Sequence, residues 1–282
     1  MLKKKRGDKP MNFSHIEECF NKAFFHSFSK KKLLVVFPVL LLCALLVIFC
    51  QALSIGSSNW ISMSMIFLPI FLTSGLFLSI GVLIIQIYYH ERKNLAWNFG
   101  IIFSKSWRLV IGTFYLSVPI ILLYVCLWVL LGLFILMQEI PYVGPVFNII
   151  LSFAPFITIL SSILLVIFNL GLLFFVTPSI TLRYKEDLSF IRDYKALIKD
   201  KLFSLIVMFC IGISPLILVL AILSVAFVAT NLNYLIAEQG ITQTLQWFFI
   251  SIPFVIFVTP ALIFFFNFSA ETYNLLFYKR RG

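Results

Sequence analysis

Polar and apolar positions along this chain do not alternate; the apolar ones run together. Six stretches, Leu33–Ile55, Met65–Tyr89, Leu109–Met137, Phe147–Val176, Leu202–Val228 and Trp247–Phe268, contain no Asp, Glu, Lys, Arg or His. Each has the ~20 residues that a helix needs to cross about 30 Å of hydrocarbon. Strands would be shorter and soluble helices would carry a polar face, so the pattern predicts six transmembrane helices. The runs at 109–137 and 147–176 exceed the minimum and leave room for tilt or kinks. Prolines recur inside the runs, at Pro38, Pro69, Pro119, Pro155, Pro215, Pro253 and Pro260. A membrane bundle tolerates them where neighbouring groups satisfy the carbonyls they free.

Ahead of alternate runs the pattern changes to a helical stripe. Phe13, Ile16, Phe20, Phe24 and Ser27 share one face, with Ser14 and Glu17 spaced as a capping box. Leu95, Phe99, Ile102, Ser106 and Leu109 repeat the arrangement, as do Leu188, Ile191, Tyr194, Ile198 and Leu202. The runs therefore pair into three hairpins, each entered through an amphipathic helix. Their exits also match: Tyr89-His90-Glu91-Arg92, Tyr184-Lys185-Glu186-Asp187 and Tyr278-Lys279-Arg280-Arg281, with the tyrosines 95 and 94 residues apart. The expected fold is all-α, a polytopic membrane bundle. A basic segment (1–32) precedes the six-span domain (33–268), and a basic tail (269–282) follows it.

Composition agrees with the pattern. Of 282 residues, 61% are hydrophobic and 12% charged, the mean hydropathy is +1.05, and 33 are Phe. A net charge of +11 suggests nucleic acid in a soluble protein. Here placement gives another meaning. All 22 Lys/Arg fall in the N-terminal segment, the linkers 90–108 and 177–201, and the tail, while Gly56–Ser64, Gln138–Val146 and Ala229–Gln246 have none. The positive-inside rule puts both termini and the two long linkers in the cytoplasm. The first apolar run begins only at Leu33, too late for a cleaved signal peptide, so no removal is expected.

The candidate chemistry is sparse. Five cysteines without a C-x-x-C pair argue against a disulfide framework or a zinc site. His15, Cys19 and His26 share a helical face but lack a further ligand, so no metal is assigned. No P-loop, H-E-x-x-H motif or acidic cluster is present, and no catalytic or cofactor residue is named. Glu139 and Glu238 lie in separate outer loops. Glu91-Arg92 and Glu186-Asp187 sit at span exits, where caps and interfacial ion pairs account for them. Within the spans Gln86, Asn169 and Asn267 are the leading candidates for interhelical hydrogen bonds, with pore or substrate contact the alternative. At the basic face, Arg192, Lys195, Lys199, Lys201, Trp97 and Trp107 are candidate contacts for anionic lipid headgroups or for a membrane or cytosolic protein.

The run Phe175-Val176-Thr177-Pro178, with Leu182, Lys195-Ala196 and Leu202 after it, resembles bacterial six-helix membrane families in which a proline ends a span and a charged amphipathic helix leads to the next. The layout is also similar to the membrane domain fused to some glycerophosphodiester phosphodiesterases, including the outer Pro141…Gly144 turn. The chain holds no such soluble enzyme domain, so that activity is not implied. The resemblance implies a bacterial inner-membrane setting. The expected function is a non-catalytic scaffold or modulator. The alternative is a transporter or channel for a lipid, apolar molecule or small solute.

Overall fold

In the computed structural model, residues 13–93, 98–138, 140, 144, 149, 152–182, 189–233 and 241–277 are described, and these are helical with no strand. Helix α1 covers Phe13–Phe25, and a 3-10 turn follows at His26–Phe28. Next come α2 (Lys30–Ser54), α3 (Asn59–Arg92), α4 (Phe99–Tyr115) and α5 (Val118–Gln138). Helices α6 (Ala154–Leu182), α7 (Ser189–Asn233) and α8 (Ile241–Phe277) complete the order.

Six segments are long and apolar enough to cross a membrane: Lys30–Ser54, Asn59–Arg92, Gly100–Gln138, Ala154–Leu182, Phe203–Thr230 and Thr242–Leu276. The chain is a multi-pass membrane protein. Its outward surface carries Phe156, Leu164, Phe168, Leu218 and Val225, as lipid-facing positions should.

Helix α3 is central, packing on α2, α4, α5, α6 and α8. Helix α8 gathers the rest, touching α1, α2, α3, α6 and α7. Between these two helices the middle of the bundle is filled by Leu78, Ile84, Ile85, Phe174, Phe265, Phe266 and Phe268, all buried in one cluster. A second cluster, around Phe71, Tyr124, Trp128 and Leu131, joins the first half of α3 to α5 and α6.

The prolines act unequally. The run at 109–137, read from sequence as one span, is two helices broken at Leu116-Ser117. Pro119 has no N–H, and its ring would press on the Tyr115 carbonyl, so α4 stops there. Ser117 restarts the ladder, its carbonyl accepting from the Ile120 and Ile121 amides at 3.1 and 3.0 Å. At Pro69, Pro178 and Pro215 the helix continues and the freed carbonyl finds a side chain. Gln51 Nε2 reaches the Met65 carbonyl opposite Pro69 (3.4 Å), and Ser214 Oγ donates to the Ile211 carbonyl opposite Pro215 (2.9 Å). Ser269 Oγ donates to the Phe174 carbonyl opposite Pro178, tying α8 to α6.

Two further boundaries matter for the site. Helix α3 has 34 residues, so at 1.5 Å per residue it spans about 50 Å and outreaches the hydrocarbon. Helix α8 runs to Phe277, past the Phe268 at which the sequence pattern ends the last span, and Ser269–Leu276 are largely buried.

Candidate functional site

The last turn of α3 is where the buried charges meet. Tyr88, Glu91 and Arg92 are three and four residues apart, so they project from one face of the helix. Arg92 also sits at the negative end of the α3 dipole, which favours a cation there. Glu91 turns to the start of the chain. Its Oε2 lies 2.7 Å from Lys32 Nζ and 3.6 Å from His26 Nδ1, and its Oε1 accepts from Ser29 Oγ at 3.2 Å. Arg92 turns to the end of the chain, with Nη1 2.8 Å from Glu271 Oε1. The Tyr88 hydroxyl donates to the same Glu271 oxygen at 2.6 Å.

Lys32 is fully buried, and its ammonium is placed by several groups at once. Besides Glu91 it donates to the His26 carbonyl at 3.2 Å and lies 4.9 Å from the centre of the Tyr88 ring. The His26 ring meets the same tyrosine edge-on at 5.5 Å. The 3-10 turn makes this possible by breaking the α1–α2 connection, which brings His26 and Lys32 over the end of α3. A buried charge needs both a partner and further hydrogen bonds. Lys32 has both.

Helix α1 is docked on the bundle by one side of its stripe. Cys19, Ala23 and Ser27 are buried and Phe20 packs on Phe264 with ring centres 5.0 Å apart. Phe24, Phe25 and Phe28 remain exposed. Asn267 of α8 secures the seam, its Nδ2 3.4 Å from both the Ala23 carbonyl and Ser27 Oγ. Between α1, α3 and α8 lies a cavity of about 750 Å³ whose polar wall includes Glu18, Lys22, Tyr89, Arg92, Lys93 and Glu271. Lys22 pairs with Glu18 at 2.5 Å, and Lys93 donates to the Tyr89 hydroxyl. Cys19 lies on the same wall. Burial first, then the nearby Glu271 and Glu18 carboxylates, push its thiol up to about 11.

The opposite end of α3 is built from rings. Tyr124 of α5 donates to the Ser64 carbonyl at 2.6 Å and lies 4.6 Å from the Phe71 ring. Trp128 Nε1 donates to Ser162 Oγ of α6 at 3.1 Å. Trp60, Leu68, Val129, Gly132 and Leu136 line a groove of about 390 Å³ there, with an almost wholly apolar wall.

Of the residues singled out from the sequence, Gln86 and Asn267 both bridge elements. Gln86 Oε1 accepts from Ser106 Oγ of α4. Asn169 is buried on α6, with its Oδ1 unpaired among the described residues. The three amides lie apart and form no common site. Trp107 is about half exposed and packs on Phe103 with ring centres 5.0 Å apart. Trp97 lies outside the described residues, as do the side chains of Arg192, Lys195, Lys199 and Lys201 on α7 and that of Ser14 in the capping pair. His15 and Cys19 border the same cavity, whereas His26 turns to Glu91.

Sequence reasoning missed Lys32 and Glu271, which fell into the segments before Leu33 and after Phe268. The signal for Glu271 was its place four residues after Asn267, on the same helical face, with apolar Tyr273, Leu275 and Leu276 beyond it. Comparison with known protein families, curated proteins and solved structures gives no match, so the reading of this site rests on its own geometry.

Proposed function

We propose that the protein is a bacterial inner-membrane scaffold or modulator without catalytic activity, with both termini and the linkers 90–108 and 177–201 in the cytoplasm. Its spans are taken as three hairpins, supported by the packing of α2 on α3, α5 on α6 and α7 on α8. The observation that carries the reading is how the polar groups are used. Lys32, Glu91, Arg92 and Glu271 join helices to one another, and between the two terminal cavities the bundle is filled by Phe174, Phe265, Phe266 and Phe268. A conduit needs polar groups left over to replace a solute's water. Here the four charges are paired with one another across helices instead of lining a path. The basic cytoplasmic face, with Arg192, Lys195, Lys199, Lys201, Trp97 and Trp107, then serves as a contact surface for anionic headgroups or a protein partner.

One observation favours the transporter reading. Asn169 Oδ1 and Thr177 Oγ1, about two turns apart on α6, are buried without hydrogen-bond partners among the described residues. Such acceptors suit a small polar ligand. Proteoliposomes holding the purified protein decide between the readings: the scaffold predicts no ion, solute or lipid flux above that of empty vesicles. Flux that is lost in Asn169→Ala would overturn it. Crosslinking from Lys195 or Lys199 that captures one partner at fixed stoichiometry supports the scaffold.

A further inference from the structure

Among the described residues, the cations of the cavity between α1, α3 and α8 use few of their donors. On the acid side, Glu271 Oε1 already takes the Tyr88 hydroxyl and Arg92, and Glu18 is held by Lys22. On the basic side, the bonds formed are few for the groups involved. Arg92 gives Nη1 to Glu271, Lys93 gives one bond to Tyr89, and Lys22 gives one to Glu18. A guanidinium carries five N–H donors and an ammonium three, so among the described residues each cation keeps donors in hand. Arg92 stays 43% exposed while its acid partner is only 5% exposed, so the guanidinium stands at the mouth and the carboxylate behind it.

A ligand matching this wall must bring several acceptors and negative charge to a site ringed by cations from two helices. A cation or a carboxyl-poor neutral molecule would leave those donors unmatched. A tetrahedral oxyanion fits: the guanidinium fork binds two of its oxygens, and the lysines close on the remainder. The volume, about 750 Å³, lies inside the range of about 300–1,000 Å³ typical of small-molecule sites. It leaves room beside a phosphate for whatever the phosphate is attached to. The site lies at the ends of α3 and α8, where the apolar spans give way to charge, which is the level of lipid headgroups. We propose that this cavity binds a phosphate-bearing anion through Lys22, Arg92 and Lys93. The inference stands apart from the scaffold reading, since it needs only that the helices span a bilayer.

The test uses the purified full-length protein. Native mass spectrometry compares retention of phosphatidylglycerol with that of a neutral glycolipid that carries no phosphate, and thermal unfolding is followed with inorganic phosphate against chloride at equal ionic strength. Three variants accompany the parent. Lys22→Gln/Lys93→Gln removes two cations and keeps the Arg92–Glu271 pair, so the fold should survive. Arg92→Gln is the severe case, checked for folding by gel filtration. Glu18→Gln removes an acid from the rim and should tighten binding. The expected result is preferential phosphatidylglycerol retention that falls roughly tenfold in the double variant and rises in Glu18→Gln. If the phosphate alone reproduces the stabilisation, the source is a soluble phosphate; if only the lipid does, it is a headgroup. Equal retention of both lipids together with no effect of phosphate overturns the proposal. So does a double variant that binds as the parent does.

Discussion

At the Arg92 end of α3, charge pairs join α2, α3 and α8; at the Asn59 end, aromatic rings and single hydrogen bonds join α3, α5 and α6. The ring end must hold helices together where the hydrophobic effect gives no help, because lipid is as apolar as the side chains. The charged end lies where the apolar spans give way to charge, and it holds its helices by directed contacts between named partners. Lys32 is matched to Glu91 and Glu271 to Arg92, and neither acid has a second buried cation to turn to among the described residues. The ring end works through contact area, with each ring carrying one hydrogen bond at most. Loss of one atom should therefore be felt sharply at the first end and be spread thin at the second.

The largest effect is expected from Lys32→Met. Removing one partner from a buried pair leaves the other charge stranded, which costs about 3–5 kcal/mol. Among the described residues the Glu91 carboxylate would keep Ser29 and His26. Thermal unfolding in detergent should show the loss, and Lys32→Met/Glu91→Gln should recover much of it because the stranded charge is gone. If Lys32→Met unfolds with the parent, the pair is solvated and the contrast between the ends collapses.

Two glycines give the next comparison. A Cβ at Gly81 would sit 2.4 Å from the ring of Phe266, itself fully buried between α3 and α8. Gly81→Ala should cost about 1–3 kcal/mol as that packed ring is forced aside. At Gly132 the nearest atom is the rim of Trp60 at 3.1 Å, on the open apolar groove. Gly132→Ala needs only a small shift of that indole and should stay within about 1 kcal/mol of the parent. Equal losses at the two glycines would mean that the groove is as tightly packed as the middle of the bundle.

Much of this architecture was legible in the sequence, and the limits have physical causes. The spans could be read because hydrocarbon excludes charge, and the basic residues cluster between alternate pairs of them. The proline in the third run could be seen. Whether it would break the helix could not, since that depends on which neighbours satisfy the freed carbonyls. Ser269 does this for Pro178 from another helix, while the helix stops before Pro119. Gln86 and Asn267 were readable as interhelical groups because few other amides occur in the spans. The charge site was hidden by the same logic that found the spans. Cutting them where charge begins places Lys32 and Glu271 among the solvated segments, whereas the helices carry both into the packed bundle. Tyr88, Glu91 and Arg92 visibly share a face, yet only the tertiary fold decides which end of the chain each one holds.

At the ring end, Trp128→Phe removes one hydrogen bond and some contact area. The substitution removes Nε1, which donates to Ser162 Oγ, together with the five-membered part of a buried indole. Ser162 still donates to the Thr158 carbonyl at 2.8 Å, so its hydroxyl is not left without a partner. The hydrogen bond contributes about 1 kcal/mol and the void left by the smaller ring about as much again, so the expected cost is about 2 kcal/mol. A loss as large as that of Lys32→Met would show that this end, too, depends on directed contacts.

The smallest effect belongs to Cys19, and it separates burial from charge at the cavity wall. Its thiol is pushed up to about 11, with burial the first cause and Glu271 the second. Maleimide labelling of Cys19, in a background where the other four cysteines are Ser, should therefore be slow at pH 8 and accelerate between pH 9 and 11. The sign for stability follows from the raised value. The folded state prefers the neutral thiol, so its contribution is intact below the unfolded value near 9 and is lost as pH rises through about 11. Near neutrality the thiol adds no pH dependence at all. Glu271→Gln removes the like charge with the larger effect on the thiol but leaves α1 seated on α8, so the labelling midpoint should fall only partway toward that of an exposed thiol. A fall all the way to the exposed value would mean that α1 lifts from the bundle once Glu271 is neutral, making the charge pair, and not the Phe20 and Ala23 packing, what holds the start of the chain against its end.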